Sequence, residues 1–197
     1  MLKLKGSLKI SGDKSISHRA LIISAMSCGK TKITNLLESE DVMRTLTILK
    51  ELGVKIIKLR DSWIVNGNGT SGFIEPNKQL DCGNSGTTAR LMVGAVSSNP
   101  ISCTFVGDSS LSRRSMSRVT MHLEEMGANV SITNKDFLPL TISGSDLLLP
   151  MEHKIKKASA QIKSALILAA LNIHGITRII ENIPTSCLLY TSPSPRD

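Results

Sequence analysis

The chain has 197 residues, 41% of them hydrophobic, and a formal net charge of +8, which is enough sequence to bury a large core and a bias toward anionic partners. It contains no apolar run near the roughly 20 residues that span a bilayer, and Met1–Ile10 lacks the apolar centre of a secretory signal, so a cytoplasmic globular protein with no membrane partner is expected. Aromatic content of only 3%, with Trp63 and Tyr190 the sole Trp and Tyr, leaves little for base stacking and turns the search from nucleic acid to small phosphorylated ligands. Cys28, Cys82, Cys103 and Cys187 show no C-x-x-C spacing and no paired histidines nearby. Neither a disulfide framework nor a metal site is therefore expected, and the first three are expected to be buried thiols.

In chain order, short β-branched runs and 3.6-residue apolar spacing predict a strand at Leu4–Ile10, a helix at Ile16–Ser27, a strand at Thr31–Asn35 and a helix at Asp41–Leu52. Strands at Lys55–Leu59 and Trp63–Asn66 follow. A second pass has the same order: strand Gln79–Cys82, helix Gly86–Val96, strand Ser102–Val106, helix Ser115–Met126, then strands Asn129–Ile132 and Leu140–Ile142. Glu51-Leu52-Gly53-Val54 and Glu125-Met126-Gly127-Ala128 lie 74 positions apart, an internal period with a C-cap glycine in each copy. A third pass runs through strand Leu147–Leu149, helix Ser159–Asn172 and strand Thr177–Glu181.

Each pass opens with a strand, a small polar loop and an apolar helix. Duplication places the three opening helices around a pseudo-threefold axis with their N-termini converging. Those starts read Lys14-Ser15-Ile16-Ser17, Asn84-Ser85-Gly86-Thr87 and Ser159-Ala160-Gln161, rich in groups that cap helices or bind anions. In the first, Gly12 permits a tight turn, Ser15 or Ser17 can cap the helix, and Ser15 and Arg19 share a helix face. The four histidines lack a consistent spacing, so His18, His122, His153 and His174 are expected in surface or core positions rather than catalysis.

Gly12-Asp13-Lys14-Ser15-Ile16-Ser17-His18-Arg19, Gly83-Asn84-Ser85-Gly86-Thr87-Thr88-Ala89-Arg90-Leu91, Gly107-Asp108-Ser109-Ser110-Leu111 with Arg113-Arg114, and Ser159-Ala160-Gln161-Ile162-Lys163-Ser164-Ala165 together resemble the 5-enolpyruvylshikimate-3-phosphate synthases of the bacterial shikimate pathway. The likeness runs in order from about Lys3 to Ser186. It implies an α/β enolpyruvyl-transferase fold, an inside-out α/β barrel of β-α-β-α-β-β units, and two domains. On that reading residues 1–13 are a strand of a second, largely absent domain and residues 14–186 are the substrate-binding domain with its third unit cut short. The implied activity is transfer of the enolpyruvyl group of phosphoenolpyruvate to the 5-hydroxyl of shikimate 3-phosphate, in aromatic amino acid biosynthesis, with no cofactor, by a protein that is monomeric when complete.

Carried over by position, the resemblance makes Lys14 a catalytic residue that contacts both substrates. It makes Ser15, Arg19, Ser159, Gln161 and Ser186 ligands of shikimate 3-phosphate. Asn84, Gly86, Thr87 and Arg114, with Lys14 and Gln161, become the phosphoenolpyruvate site. Glycine at position 86 further implies sensitivity to glyphosate. Ser115 stands where relatives usually have proline, Arg90 is expected to cross-link loops, and Lys163 is a second-tier candidate. The tail Cys187–Asp197 departs from the family and resembles a translated sequencing adapter; the resemblance also implies that the acidic and several basic participants lie on the absent domain, so the 197-residue chain is expected to be inactive. The nearest rival activity, enolpyruvyl transfer to UDP-N-acetylglucosamine, typically has asparagine after the lysine and a loop cysteine, whereas Ser15 follows Lys14 and Asp108–Ser115 contains no cysteine. A basic RNA-binding repeat protein, the remoter rival, would need exposed aromatics or a continuous basic stripe.

Overall fold

The computed structural model describes residues 5–8, 10–134, 136–155 and 157–182. Among the described residues, three small sheets and five α-helices follow the three passes of the sequence. The first pass holds α1 (Lys14–Met26), β1 (Cys28–Thr34), α2 (Glu40–Glu51), β2 (Lys55–Lys58) and β3 (Ser62–Asn68), with β3 paired antiparallel to both neighbours in the order β1-β3-β2. The second holds β4 (Leu80–Asp81), α3 (Gly86–Ser97), β5 (Ser102–Val106), α4 (Ser117–Glu125), β6 (Asn129–Asn134) and β7 (Phe137–Ser143). Here β4 runs parallel to β5, and the order is β4-β5-β7-β6. The third holds β8 (Glu152–Ile155), α5 (Ala160–Ala170) and β9 (Arg178–Glu181), the two strands again parallel across the helix.

The repeat is visible in the backbone. Gly53 and Gly127, after α2 and α4, both adopt left-handed φ angles of 85° and 106°, a conformation open to glycine at little cost. The two kinds of helix differ in what they bury. Helices α2 and α4 are one-sided, turning Val42, Leu46 and Leu49, or Val119 and Leu123, to the core. Helix α3 is buried almost all round, with Leu91, Met92, Val93, Ala95 and Val96 inaccessible to solvent, as an apolar helix enclosed by neighbours must be.

Close packing of α3 on α5 rests on Gly94. A Cβ there would fall on the carbonyl oxygen and Cα of Ala165, so the helices touch backbone to backbone. Their far ends are tied by Asn172, which donates to the Ser98 carbonyl at 2.7 Å and accepts from the Thr70 hydroxyl at 3.0 Å. Buried Asn99 completes this knot by donating to the Thr70 and Ala95 carbonyls.

Several expectations are corrected. No strand forms among residues 5–8 and 10–13; Leu8 and Ile10 are 85% and 72% exposed, and the Ile10 carbonyl accepts from the Asn35 side chain in place of a strand partner. Gly12 serves a close approach, since a Cβ would collide with the Asn35 carbonyl. Leu147–Leu149 forms no strand, Leu147 ending a turn, and the opening strand of the third pass lies at Glu152–Ile155, where charged and buried residues alternate. Helix α4 starts two residues later than expected because Leu111–Arg113 forms a 3-10 turn. Cys82 and Cys103 are buried, their thiols both pushed up to about 12, chiefly by burial, but Cys28 at the outer end of β1 is exposed.

Gly94→Ala should therefore push α3 off α5 and lower stability by about 1 to 3 kcal/mol, the usual range for overpacking a core. A urea unfolding midpoint unchanged by that substitution would contradict the packing.

Candidate functional site

The three opening helices are capped in the same way. The Asp13 carboxylate accepts from the Ile16 amide at 2.8 Å, the Ser85 hydroxyl from the Thr88 amide at 3.1 Å and the Ser159 hydroxyl from the Ile162 amide at 3.4 Å. At α1 the cap is thus Asp13, two residues ahead of Ser15 and four ahead of Ser17, the expected caps. Ser17 is buried and instead accepts from the Leu37 amide at 3.0 Å. Each cap leaves first-turn N–H groups without intrahelical partners, and each helix end carries the positive pole of its dipole.

Side-chain bonds hold these ends together. Between α1 and α3, the His18 ring pairs with the Thr45 hydroxyl at 2.8 Å, Thr45 with Thr88 at 2.8 Å, and Thr88 donates to the Asp41 carbonyl at 3.2 Å. The Asp41 carboxylate receives Lys14 Nζ at 2.6 Å. Between α1 and α5, Arg19 donates to the Ser15 and Ala160 carbonyls and, at 2.6 Å, to the Ser164 hydroxyl. Between α3 and α5, Gln161 donates to the Thr87 hydroxyl at 3.0 Å while its carbonyl accepts from Arg90 at 3.1 Å.

Arg90 reaches further, to the Gly86 and Ser115 carbonyls, so it ties α3 to the loop before α4. On that loop Arg114 donates to Asn84 Oδ1 at 2.6 Å and to the Ser110 hydroxyl at 3.2 Å. Gly86 lies under both arginines: a Cβ there would meet Arg90 Nη1 at 2.6 Å and Arg114 Nη1 at 3.6 Å. Burial holds the Arg90 guanidinium below the ordinary arginine value, and the neighbouring charges of Arg118 and Arg114 lower it further. Positive charge is concentrated here beyond what nearby carboxylates offset.

Lys14, Ser15, Arg19, Asn84, Gly86, Thr87, Arg114, Ser159 and Gln161 thus lie on three helix starts and one loop that these bonds join. Ser186 lies outside the described residues. Lys163 points to β9, pairing with Glu181 at 2.7 Å. Asp41, Thr45 and Arg118 were not singled out from the sequence: Asp41 and Thr45 act on partners 27 or more positions away, and no local spacing marks such pairs.

His18 behind the site is fully buried, and burial lowers its pKa to about 4. The ordinary value is 6.5, so the unfolded chain takes up a proton that the folded chain refuses between these limits. The stability carried by the neutral ring is complete above about pH 6.5 and falls away as pH drops toward 4, by about 3 kcal/mol in all. His18→Gln should accordingly reduce the stability lost between pH 7 and 4.5 by about 2 to 3 kcal/mol in urea titrations.

Fold and site together define an α/β repeat protein whose helix ends meet at a cation-rich face. The family model described as EPSP synthase (3-phosphoshikimate 1-carboxyvinyltransferase) matches residues 1–190, and the chain belongs to that family. Curated relatives called 3-phosphoshikimate 1-carboxyvinyltransferase include one from Paracoccus denitrificans, 50% identical over 183 residues, and one from Parvibaculum lavamentivorans, 49% identical. Each alignment covers 92% of this chain and 41% of the relative. An EPSP synthase structure from Acinetobacter baumannii superposes with a TM-score of 0.87 at 36% identity over 91% of this chain and 41% of that one, which gives the chain the enolpyruvyl-transferase fold. The chain spans about 41% of the length of the relatives it matches.

Proposed function

We propose that this chain supplies the helix-end half of a site that, in a protein of its relatives' length, transfers the enolpyruvyl group of phosphoenolpyruvate to the 5-hydroxyl of shikimate 3-phosphate and releases phosphate. The observation that carries this reading is the meeting of three capped helix N-termini with Lys14, Arg19, Arg90 and Arg114 in a member of the EPSP synthase family. Both substrates are small polyanions, and a face of helix dipoles and fixed cations suits them.

In this reading Ser15, Arg19, Ser159, Gln161 and Ser186 hold shikimate 3-phosphate, while Asn84, Gly86, Thr87, Arg114 and Gln161 hold phosphoenolpyruvate. Lys14 reaches both as a compact charge on a flexible stem. The hydroxyl gives up its proton as its oxygen adds to C2 of phosphoenolpyruvate, while C3 gains a proton and becomes a methyl group; a methyl proton is then lost as the C2–O bond to phosphate breaks, which restores the double bond and releases phosphate. Cations stabilise the departing phosphate, so the reaction needs no organic cofactor or metal. The complete protein acts in the cytoplasm as a monomer.

The Lys14–Asp41 pair is half-exposed, and its exchange for a ligand phosphate costs little. Titration calorimetry with shikimate 3-phosphate should give binding that Lys14→Ala weakens roughly 10- to 100-fold, the loss of a charged hydrogen bond of about 1.5 to 3 kcal/mol. An unchanged dissociation constant would remove Lys14 from the site.

Gly86 bears on inhibition, because an added methyl would crowd Arg90 and Arg114. Phosphate release by the product of the complete gene should be inhibited by glyphosate, and Gly86→Ala should raise the concentration needed. A wild-type rate that stays constant at saturating glyphosate would refute this.

A further inference from the structure

Away from the helix ends, α4 and β8 bring His122, Glu125 and His153 together, and we propose that these three residues bind one divalent transition-metal ion of the zinc class. Their ligand atoms, one from each residue, lie within 4.8 Å of one another. His122 and Glu125 are three apart on α4 and so share a face, with His122 Nδ1 3.2 Å from Glu125 Oε2. His153 comes from β8 in the next repeat, its Nδ1 3.8 Å from the same oxygen. A tetrahedral ion with bonds of about 2.0 to 2.1 Å spaces its donors roughly 3.4 Å apart. Small rotations of exposed Glu125 and partly buried His122 therefore suffice to close the site.

The second observation is independent of that spacing. His153 is 1% exposed, and among the described residues neither of its ring nitrogens has a hydrogen-bond partner. Leaving a buried polar group unsatisfied is costly, and native structures rarely do so without a ligand, ion or water to complete it. The His122 and His153 rings meet edge to face, with centroids 5.1 Å apart and planes at 81°. Burial, and after it the neighbouring His122, holds the His153 pKa below its ordinary value.

Two imidazoles and a carboxylate are a donor set that zinc accepts, with a fourth position left for water or an outside ligand. These residues border a cavity of about 580 Å³ that opens to solvent and provides a way in. Of the other charges lining it, Lys154 is paired with Glu152 at 3.5 Å, while Arg118 and Lys157 oppose a cation and moderate the affinity. A bound ion would clamp the second repeat to the third.

The test is titration of the metal-stripped 197-residue chain with Co²⁺, read by visible absorption, followed by displacement with Zn²⁺. One equivalent should enter a low-symmetry site and be displaced by zinc. His122→Gln and Glu125→Gln alter side chains that are not part of the core, so both variants should keep the wild-type circular dichroism while losing affinity roughly tenfold or more. Absence of stoichiometric uptake by the wild type, or uptake that persists unchanged in both variants, would overturn the proposal.

Discussion

The structure depends on three helices entering one body with their N-termini side by side. That arrangement is electrostatically unfavourable on its own, because the positive ends of three dipoles and a group of cations share one face. It is held by side-chain bonds beneath the charges: the uncharged run His18 to Thr45 to Thr88, and Thr87 to Gln161, whose carbonyl accepts from Arg90. Asp13, Ser85 and Ser159 satisfy one amide each from the side, leaving further first-turn donors directed outward. Burial first, and then the neighbouring charges of Arg118 and Arg114, lower the Arg90 value, so part of that shift is repulsion between cations on this face. An anion placed on this face would relieve it, which is how a rigid scaffold gains selectivity for charge without moving.

Packing makes the convergence possible. Helix α3 is enclosed, so it is built from small and apolar residues, with Arg90 as its one charge. Gly94 lets α5 approach to backbone contact, and the asparagine knot of Asn99 and Asn172 fixes the opposite ends. Because both ends are constrained, the first turns of α3 and α5 are held in register, and the amide of Gln161 can satisfy Thr87 and Arg90 at once. The three sheets lie one to each repeat and supply the spacing between helices. Site geometry is thus a product of repeat geometry.

Much of this was legible in the sequence. Apolar periodicity marked all five helices, and the 74-residue period exposed the repeat, since both properties are local or simply recurrent. The errors have physical sources. The residues at Leu4–Ile10 read as a strand, but a strand needs a partner edge, and the described part pairs with the Asn35 side chain instead. Leu147–Leu149 read as a strand because it is apolar, whereas the buried face of β8 is only His153 and Ile155, alternating with exposed Glu152 and Lys154, and a histidine does not read as core. Cys28 read as buried by residue type and is exposed at the end of β1. Of the candidate site, the capping residues and cations of the helix starts were readable, but Asp41 as partner to Lys14 and the Thr45–Thr88 link were not, because they join residues distant in sequence. The same limit hid the pairing of His122 and Glu125 with His153, in which the buried histidine lies 28 positions beyond Glu125.

The central claim is that the three helix starts serve one site, α1 and α5 for shikimate 3-phosphate and α3 for phosphoenolpyruvate. Amide chemical-shift mapping of the chain as shikimate 3-phosphate and then phosphoenolpyruvate are added tests it most directly. The account predicts that amides at Ser15–Ser17 and Gln161–Lys163 shift together along one saturation curve with the first ligand, and that those at Gly86–Thr88 shift with the second. Shifts confined to a single helix start with both ligands present, or α1 and α5 sets that saturate at different shikimate 3-phosphate concentrations, would contradict it.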